Sequence, residues 1–170
     1  KSGDNVAVIG LGLIGLITAQ ILKGYGYKVF GFDISERKIA LAKSVGIEHA
    51  TNNPEEFREI TERETMGDGT DAVIITASTD SKEPVDTAVE ISRHNARVVI
   101  VGVVDIHPNR QEVWEKEIEI LQKRMGVDEP TYKIEILLLF RALLIPDNVF
   151  HHKKHNGLTL NLLQEGLIAA

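Results

Sequence analysis

Val6-Ala7-Val8-Ile9-Gly10-Leu11-Gly12-Leu13-Ile14-Gly15 is the stretch whose reading decides the fold. Four apolar, mostly β-branched residues end on a glycine, the pattern of a strand buried on both faces of a parallel sheet. Residues 13–23 follow as a mostly apolar segment of good helix formers, stopped by Gly24 and Gly26. Gly10, Gly12 and Gly15 therefore sit in a strand-to-helix turn with G-x-G-x-x-G spacing. Alone that spacing is weak. Here a second strand follows, Val29-Phe30-Gly31-Phe32-Asp33, and it ends in an acid at the separation that a dinucleotide-binding fingerprint requires, roughly 20 residues on. Gly10 permits the tight turn, Gly12 lets the backbone approach a pyrophosphate, and Gly15 lets helix and sheet pack closely. The helix N-terminus offers N–H groups and a positive dipole end to phosphates. The same glycines also suit a strand–helix turn that binds nothing.

Asp33 bears on the choice of cofactor. A carboxylate there accepts hydrogen bonds from the adenosine ribose hydroxyls and repels a 2′-phosphate, which favours NAD over NADP. The competing reading is an acid that merely initiates the next helix ahead of Ser35. Arg37 and Lys38 either tolerate a phosphate or form the wet face of that helix, and Lys38 is a candidate ribose contact.

Outward from this motif the chain alternates. Ser35 caps a helix over residues 36–44, with Ile39, Leu41 and Ala42 on its inner side. His49-Ala50 ends a short strand. Asn53-Pro54-Glu55-Glu56 reads as an N-cap, a proline at the first helical position and an acid three residues after the cap, opening a helix to about residue 63. Gly67-Asp68-Gly69 turns into a strand at residues 71–77, Pro84 opens a helix to about residue 93, and residues 97–103 form a further strand. Strand and helix in alternation predict a doubly wound α/β fold with a mostly parallel sheet, a Rossmann fold. Beyond Val104 the rhythm weakens. Glu117-Ile118-Glu119-Ile120 alternates with period two, as an edge strand with one wet face does. Residues 131–145 suit helix or strand. The division is a dinucleotide-binding domain at residues 1–125 and a C-terminal extension at 126–170 packing on it, with a final helix near 156–165 stopped by Gly166.

Composition narrows the function classes. The 170 residues are 43% hydrophobic and 26% charged, which suits one soluble domain or one domain with a short appendage. The longest apolar run, residues 136–140, falls far short of the roughly 18 residues of a membrane span, so no membrane role is expected. No secretory leader pattern is visible. Zero cysteines exclude disulfides, thiol nucleophiles and cysteine-ligated metal sites within the chain, and fit a cytoplasmic location. A net charge of -6 argues against a nucleic-acid partner. The chain opens on Lys1 rather than Met, as an excised piece of something longer would.

Residues 4–104 resemble the cofactor domain of the medium-chain dehydrogenase/reductase superfamily, the relatives of zinc alcohol dehydrogenase. The resemblance rests on the segment from Val8 to Gly15, on Phe32-Asp33, on Ala40-Leu41-Ala42 running into Gly46-Ile47-Glu48-His49-Ala50, on Asp71-Ala72-Val73, on Arg97 to Val103, and on Lys116-Glu117-Ile118-Glu119-Ile120. The segment Ala77-Ser78-Thr79-Asp80-Ser81-Lys82-Glu83-Pro84, with Trp114-Glu115-Lys116-Glu117, looks like bacterial two-part oxidoreductases that join such a dehydrogenase to a glucose–fructose-oxidoreductase-like domain. The resemblance implies hydride transfer between a nicotinamide cofactor and an alcohol or carbonyl substrate. It places Gly12, Leu13 and Ile14 under the pyrophosphate, and Asp33 and Lys38 at the adenosine ribose. Thr76, Ala77 and Ser78 would line the adenine side, and Val101, Gly102 and Val103 would approach the nicotinamide. The last two groups sit at strand ends, where they also serve as filler. The superfamily's substrate-binding and zinc-carrying domain has no counterpart in this chain, so a partner domain is expected in the parent protein. Residues 121–146 do not align; residues 155–166 loosely resemble the family's closing helix. The superfamily's cofactor domains commonly pair through this end of the sheet, so a homodimer whose contact includes residues 98–121 is expected, unless Glu117 and Glu119 shield the edge by charge.

Other chemistry has less support. In His151-His152-Lys153-Lys154-His155 adjacent histidines point apart and the lysines repel a cation, so a solvated loop is expected rather than a metal site. No Tyr-x-x-x-Lys pair is present, and neither Ser2-Gly3-Asp4 nor Ser78-Thr79-Asp80 has a histidine placed to complete a triad. His94 reads as a surface residue, His49 as a packed one, and Trp114 as the anchor of the edge segment. No catalytic acid, base or nucleophile is expected here, because the cofactor carries the hydride. Two alternatives fit the same residues: an NAD(H)-sensing regulatory module, and a methyltransferase using S-adenosylmethionine, whose loop more often lacks the third glycine at this spacing.

Overall fold

The computed structural model describes residues 3–122. The chain runs β1 (Asn5–Ile9), α1 (Leu13–Gly24), β2 (Lys28–Phe32), α2 (Glu36–Ser44), β3 (His49–Thr51), α3 (Pro54–Glu64), β4 (Thr70–Ile75), α4 (Glu83–Ile91), β5 (Ser92–Ile100), α5 (Arg110–Glu115) and β6 (Glu119–Gln122). All strand pairs are parallel, in the order β3-β2-β1-β4-β5-β6. This is the doubly wound α/β sheet expected from the alternation.

Period-two alternation assigns the two faces. Val6 and Val8 on β1, with Ile74 on β4 and Val99 on β5, pack under Leu22 of α1 and Ile39 of α2. Ala7 and Ile9, with Val73, Ile75, Val98 and Ile100, pack under Phe57 of α3 and Val85 and Val89 of α4. Both faces are covered, so the central strands carry no polar alternation. Chain order reverses between β1 and β4. The helices that follow them diverge to opposite faces and leave a crevice at the strands' C-terminal ends.

Local sequence explains most boundaries. The side chain of Asn53 accepts from Glu56 N at 3.0 Å and Pro54 begins α3. Lys28 donates to Glu64 Oε2 at 2.5 Å, tying β2 to the end of α3 and holding the Glu64 carboxyl below its ordinary pKa.

Several expectations change. The helix from Pro84 ends at Ile91 rather than near residue 93: Ser92 Oγ donates back to Ala88 O at 2.6 Å, and Lys116 Nζ caps Val89 O and Glu90 O at 2.9 and 2.7 Å. The ladder of β5 then breaks, since Thr70 pairs with Ser92 but Ala72 with Arg97. The extra residues form a bulge in which Asn95 takes φ 56° and Arg93 reaches Asp71 at 2.7 Å. Helix α5 has no counterpart among the expected elements, although Asn109 followed three residues later by Glu112 is a legible start: Asn109 accepts from Gln111 N at 3.1 Å and donates to Glu112 at 2.8 Å. The edge strand begins at Glu119, two residues late. Glu117 takes φ 52° and Ile118 N donates to Val113 O at 3.0 Å, closing α5. Trp114 does not anchor this segment: it is 79% exposed, and Ile118, 7% exposed, fills the core instead. His94 is exposed as expected, while His49 is half-buried against Phe30. The extension at 126–170, its final helix and the His151–His155 cluster lie outside the described residues.

Candidate functional site

The ends of β1, β2, β4 and β5 meet at the reversal crevice, and the loops leaving them carry the residues singled out from sequence. Gly10 takes φ +97°, donates to Phe32 O at 2.7 Å, and leaves room for no side chain, since a Cβ there would lie 2.6 Å from Ala77 N. Gly15 is equally constrained: its Cβ would stand 1.8 Å from Gly10 O and 2.6 Å from Thr76 Oγ1. Gly12 differs. It is the N-cap of α1 in extended conformation, with φ -70° and ψ -167°, and nothing lies within 4 Å of its Cβ position. Packing within the described chain thus requires glycine at positions 10 and 15 but not at 12. Position 12 is a cradle that a side chain would fill, at a helix N-terminus with no side-chain cap.

Asp33 lies one residue past β2 and is 5% exposed. Its Oδ2 accepts from Leu11 N at 2.8 Å and from Lys38 Nζ at 3.0 Å, while Oδ1 accepts from Ser35 N at 2.9 Å. A buried carboxylate needs such donors. Through Leu11 it also ties the end of β2 to the glycine loop. Asp33 therefore supports the start of α2 through Ser35, as the helix-initiating reading expects, and it also stands beside the glycine loop.

The remaining residues divide by exposure. Leu13 and Val103 are 79% and 74% exposed at the rim, Ile14 is half-buried, and Val101 is buried. Ser78 is exposed. Thr76 and Ala77 turn inward: Thr76 Oγ1 donates to Gly10 O at 2.5 Å, and a Cβ on Gly102 would stand 1.8 Å from Ala77 O. Thr79 N donates to Val103 O at 2.8 Å, joining the loops after β4 and β5. Two residues beside the loop were not singled out from sequence. Leu11 supplies the N–H that binds Asp33. Ile34, 85% exposed directly after Asp33, presents an apolar surface at the same rim; its signal was an apolar residue stranded between Asp33 and the cap Ser35.

The sequence profile described as zinc-binding dehydrogenase matches residues 14–139. The chain belongs to the zinc-binding dehydrogenase family. It is 31% identical over 129 residues to sorbitol dehydrogenase of Halalkalibacterium halodurans, an alignment covering 73% of this chain and 37% of that one. Among solved structures, galactitol-1-phosphate dehydrogenase from Escherichia coli superposes with a TM-score of 0.60 at 27% identity, over 84% of this chain and 42% of that one. The alcohol dehydrogenase TADH of Thermus sp. ATN1 superposes with a TM-score of 0.70 at 22% identity, over 99% and 42%. This zinc-binding dehydrogenase chain thus spans about two fifths of the length of the relatives it matches. Within the medium-chain superfamily it corresponds to the α/β part. Among the described residues no three His, Asp or Glu side chains are placed to hold a metal ion, and no helix is long and apolar enough to cross a membrane.

Proposed function

We propose that this chain is the NAD(H)-binding part of a medium-chain-type oxidoreductase that moves hydride between the nicotinamide and an alcohol or carbonyl substrate. The observation that carries the reading is the open cradle over Gly12, with the buried Asp33 carboxylate beside it. A bound nicotinamide would supply the hydride chemistry. The chain's own residues bind and orient it: Gly12, Leu13 and Ile14 under the pyrophosphate, Asp33 and Lys38 at the ribose, Ile34 and Ser78 beside the adenine, and Gly102 and Val103 toward the nicotinamide. The charge of Asp33 disfavours a 2′-phosphate and hence NADP. Substrate contacts belong to a domain of the parent protein; the resemblance of Ala77 to Pro84, with Trp114 to Glu117, to two-part oxidoreductases supports that arrangement. Calorimetric titration with NAD, NADH, NADP and S-adenosylmethionine tests the reading. NAD and NADH are expected to bind more tightly than NADP, with no heat from S-adenosylmethionine; binding of S-adenosylmethionine alone would point to a methyltransferase.

We also propose a homodimer through the β6 edge. Strand β5 is interior, between β4 and β6, and among the described residues β6 has no outer neighbour. A bare strand edge is a template for pairing, and pairing across a two-fold axis is self-complementary. Ile118→Pro is not a clean probe, because the Ile118 N–H bonds Val113 O and its side chain is buried. Sedimentation equilibrium on the unaltered chain is expected to give twice the chain mass at tens of micromolar (a practical range far above a roughly micromolar dissociation constant). A single-chain mass throughout would refute the pairing.

A further inference from the structure

Thr76 lies one residue past β4, and its side chain turns under the glycine loop rather than out of the crevice. Its Oγ1 donates to Gly10 O at 2.5 Å. That carbonyl is the atom against which Gly15 packs, since a Cβ on Gly15 would stand 1.8 Å from it and 2.6 Å from Thr76 Oγ1. Gly10 is buried, and a buried carbonyl requires a donor. On the main chain, Thr76 N and Ala77 N donate to Ile9 O at 2.9 and 3.2 Å. Ala77 in turn fills the space that side chains on Gly10 and Gly102 would need. The Thr76–Ala77 peptide is thus a strut, with the glycine loop on one side and the loop after β5 on the other.

We infer that Thr76 is a positioning residue for dinucleotide binding: its hydroxyl fixes the Gly10 carbonyl and thereby aims the Gly12 backbone and the first turn of α1 at the pyrophosphate. The inference rests on the reading of the crevice as a dinucleotide cradle. It replaces the adenine-side role that the family resemblance implied, because the hydroxyl is already committed beneath the loop. Valine keeps threonine's branching but donates nothing, and its methyl cannot approach the Gly10 carbonyl as closely as the hydroxyl does at 2.5 Å, so Thr76→Val both unpairs that carbonyl and pushes it aside. Thr76→Ser keeps the donor.

Three ligands separate the roles: NADH, ADP-ribose, which retains the pyrophosphate, and adenosine, which has no phosphate. For Thr76→Val, affinity for NADH and ADP-ribose is expected to fall roughly five- to thirtyfold, the effect of one lost buried hydrogen bond, with adenosine unchanged. Thr76→Ser should restore dinucleotide affinity to within about twofold of the parent, well under the effect of the lost bond. If adenosine weakens as much as ADP-ribose, Thr76 is an adenine contact and the inference is overturned. A lower melting temperature with all three affinities intact also overturns it, because the hydroxyl would then serve the fold alone. Should Thr76→Val not fold, Thr76→Ala removes the same donor without adding bulk and is judged by the same outcomes. A parent chain that binds no dinucleotide would overturn the cofactor reading itself; a parent that binds, with a Val variant equal to it, would overturn only the role of Thr76.

Discussion

Gly12→Val is expected to fold and to lose NADH, whereas Gly15→Val is expected to lose the fold. The two glycines belong to one motif and differ in what surrounds them. Nothing lies within 4 Å of a Cβ at position 12, and φ -70° with ψ -167° is open to any residue. Valine is a poorer N-cap than glycine, which costs up to about 1 kcal/mol and shifts the melting temperature by a few degrees. Its methyl groups would occupy the place proposed for the pyrophosphate. Losing the loop and dipole contacts to that group is expected to weaken NADH by at least about a hundredfold, or 2.7 kcal/mol. At position 15 the Cβ would meet Gly10 O at 1.8 Å, a backbone atom that cannot rotate away. Helix α1 would have to lift off the sheet, which costs more than the roughly 1–3 kcal/mol of ordinary overpacking. Thermal denaturation and fluorescence titration of NADH on both variants check this. A Gly12→Val protein that binds NADH as the parent does would show that the phosphates lie elsewhere.

Asp33→Gly is expected to weaken NAD about tenfold or more and to abolish the preference for NAD over NADP. Hydrogen bonds to a charged acceptor are worth roughly 1.5–3 kcal/mol, and removing the carboxylate also removes its repulsion of a 2′-phosphate. Lys38, freed from its 3.0 Å contact with Asp33, and the exposed Arg37 would then be available to that phosphate. The structure adds a second consequence. Leu11 N and Ser35 N both lose their acceptor, so stability is expected to fall by about 1–3 kcal/mol. Asp33→Asn separates the two effects. It retains an acceptor oxygen but no charge, so it should recover part of the stability while still losing selectivity. Kd values for NAD and NADP across parent, Asn and Gly proteins measure the switch. An unchanged NAD:NADP ratio would exclude Asp33 as the ribose acceptor.

The alternation of β-branched runs with helix-forming segments was sufficient to give the order of the elements from β1 to β5. Each helix and strand there is encoded by residues within a few positions of one another. The glycine spacing and Asp33 were legible for the same reason, because the strand–turn–helix carrying them is local. What local sequence could not supply is anything set by residues brought together from far along the chain. Gly12 and Gly15 read alike as letters. Only the approach of Gly10 O and Thr76 to position 15 makes one a packing requirement and leaves the other open. Asp33 read as either ribose acceptor or helix initiator, and its bond to Leu11, 22 residues away, places it beside the loop while it supports α2. The end of α4 is set partly by Lys116, which reaches back 26 and 27 residues to the last carbonyls. Trp114 does not take its expected anchoring role, because the left-handed turn at Glu117 directs Ile118, and not the larger ring, into the core. Hydrophobicity and helix or strand propensity are properties of the segment, so the sequence determined the elements and the motif. Which side chain meets which carbonyl depends on how the segments stack, so the tertiary structure decided how each residue of the motif packs.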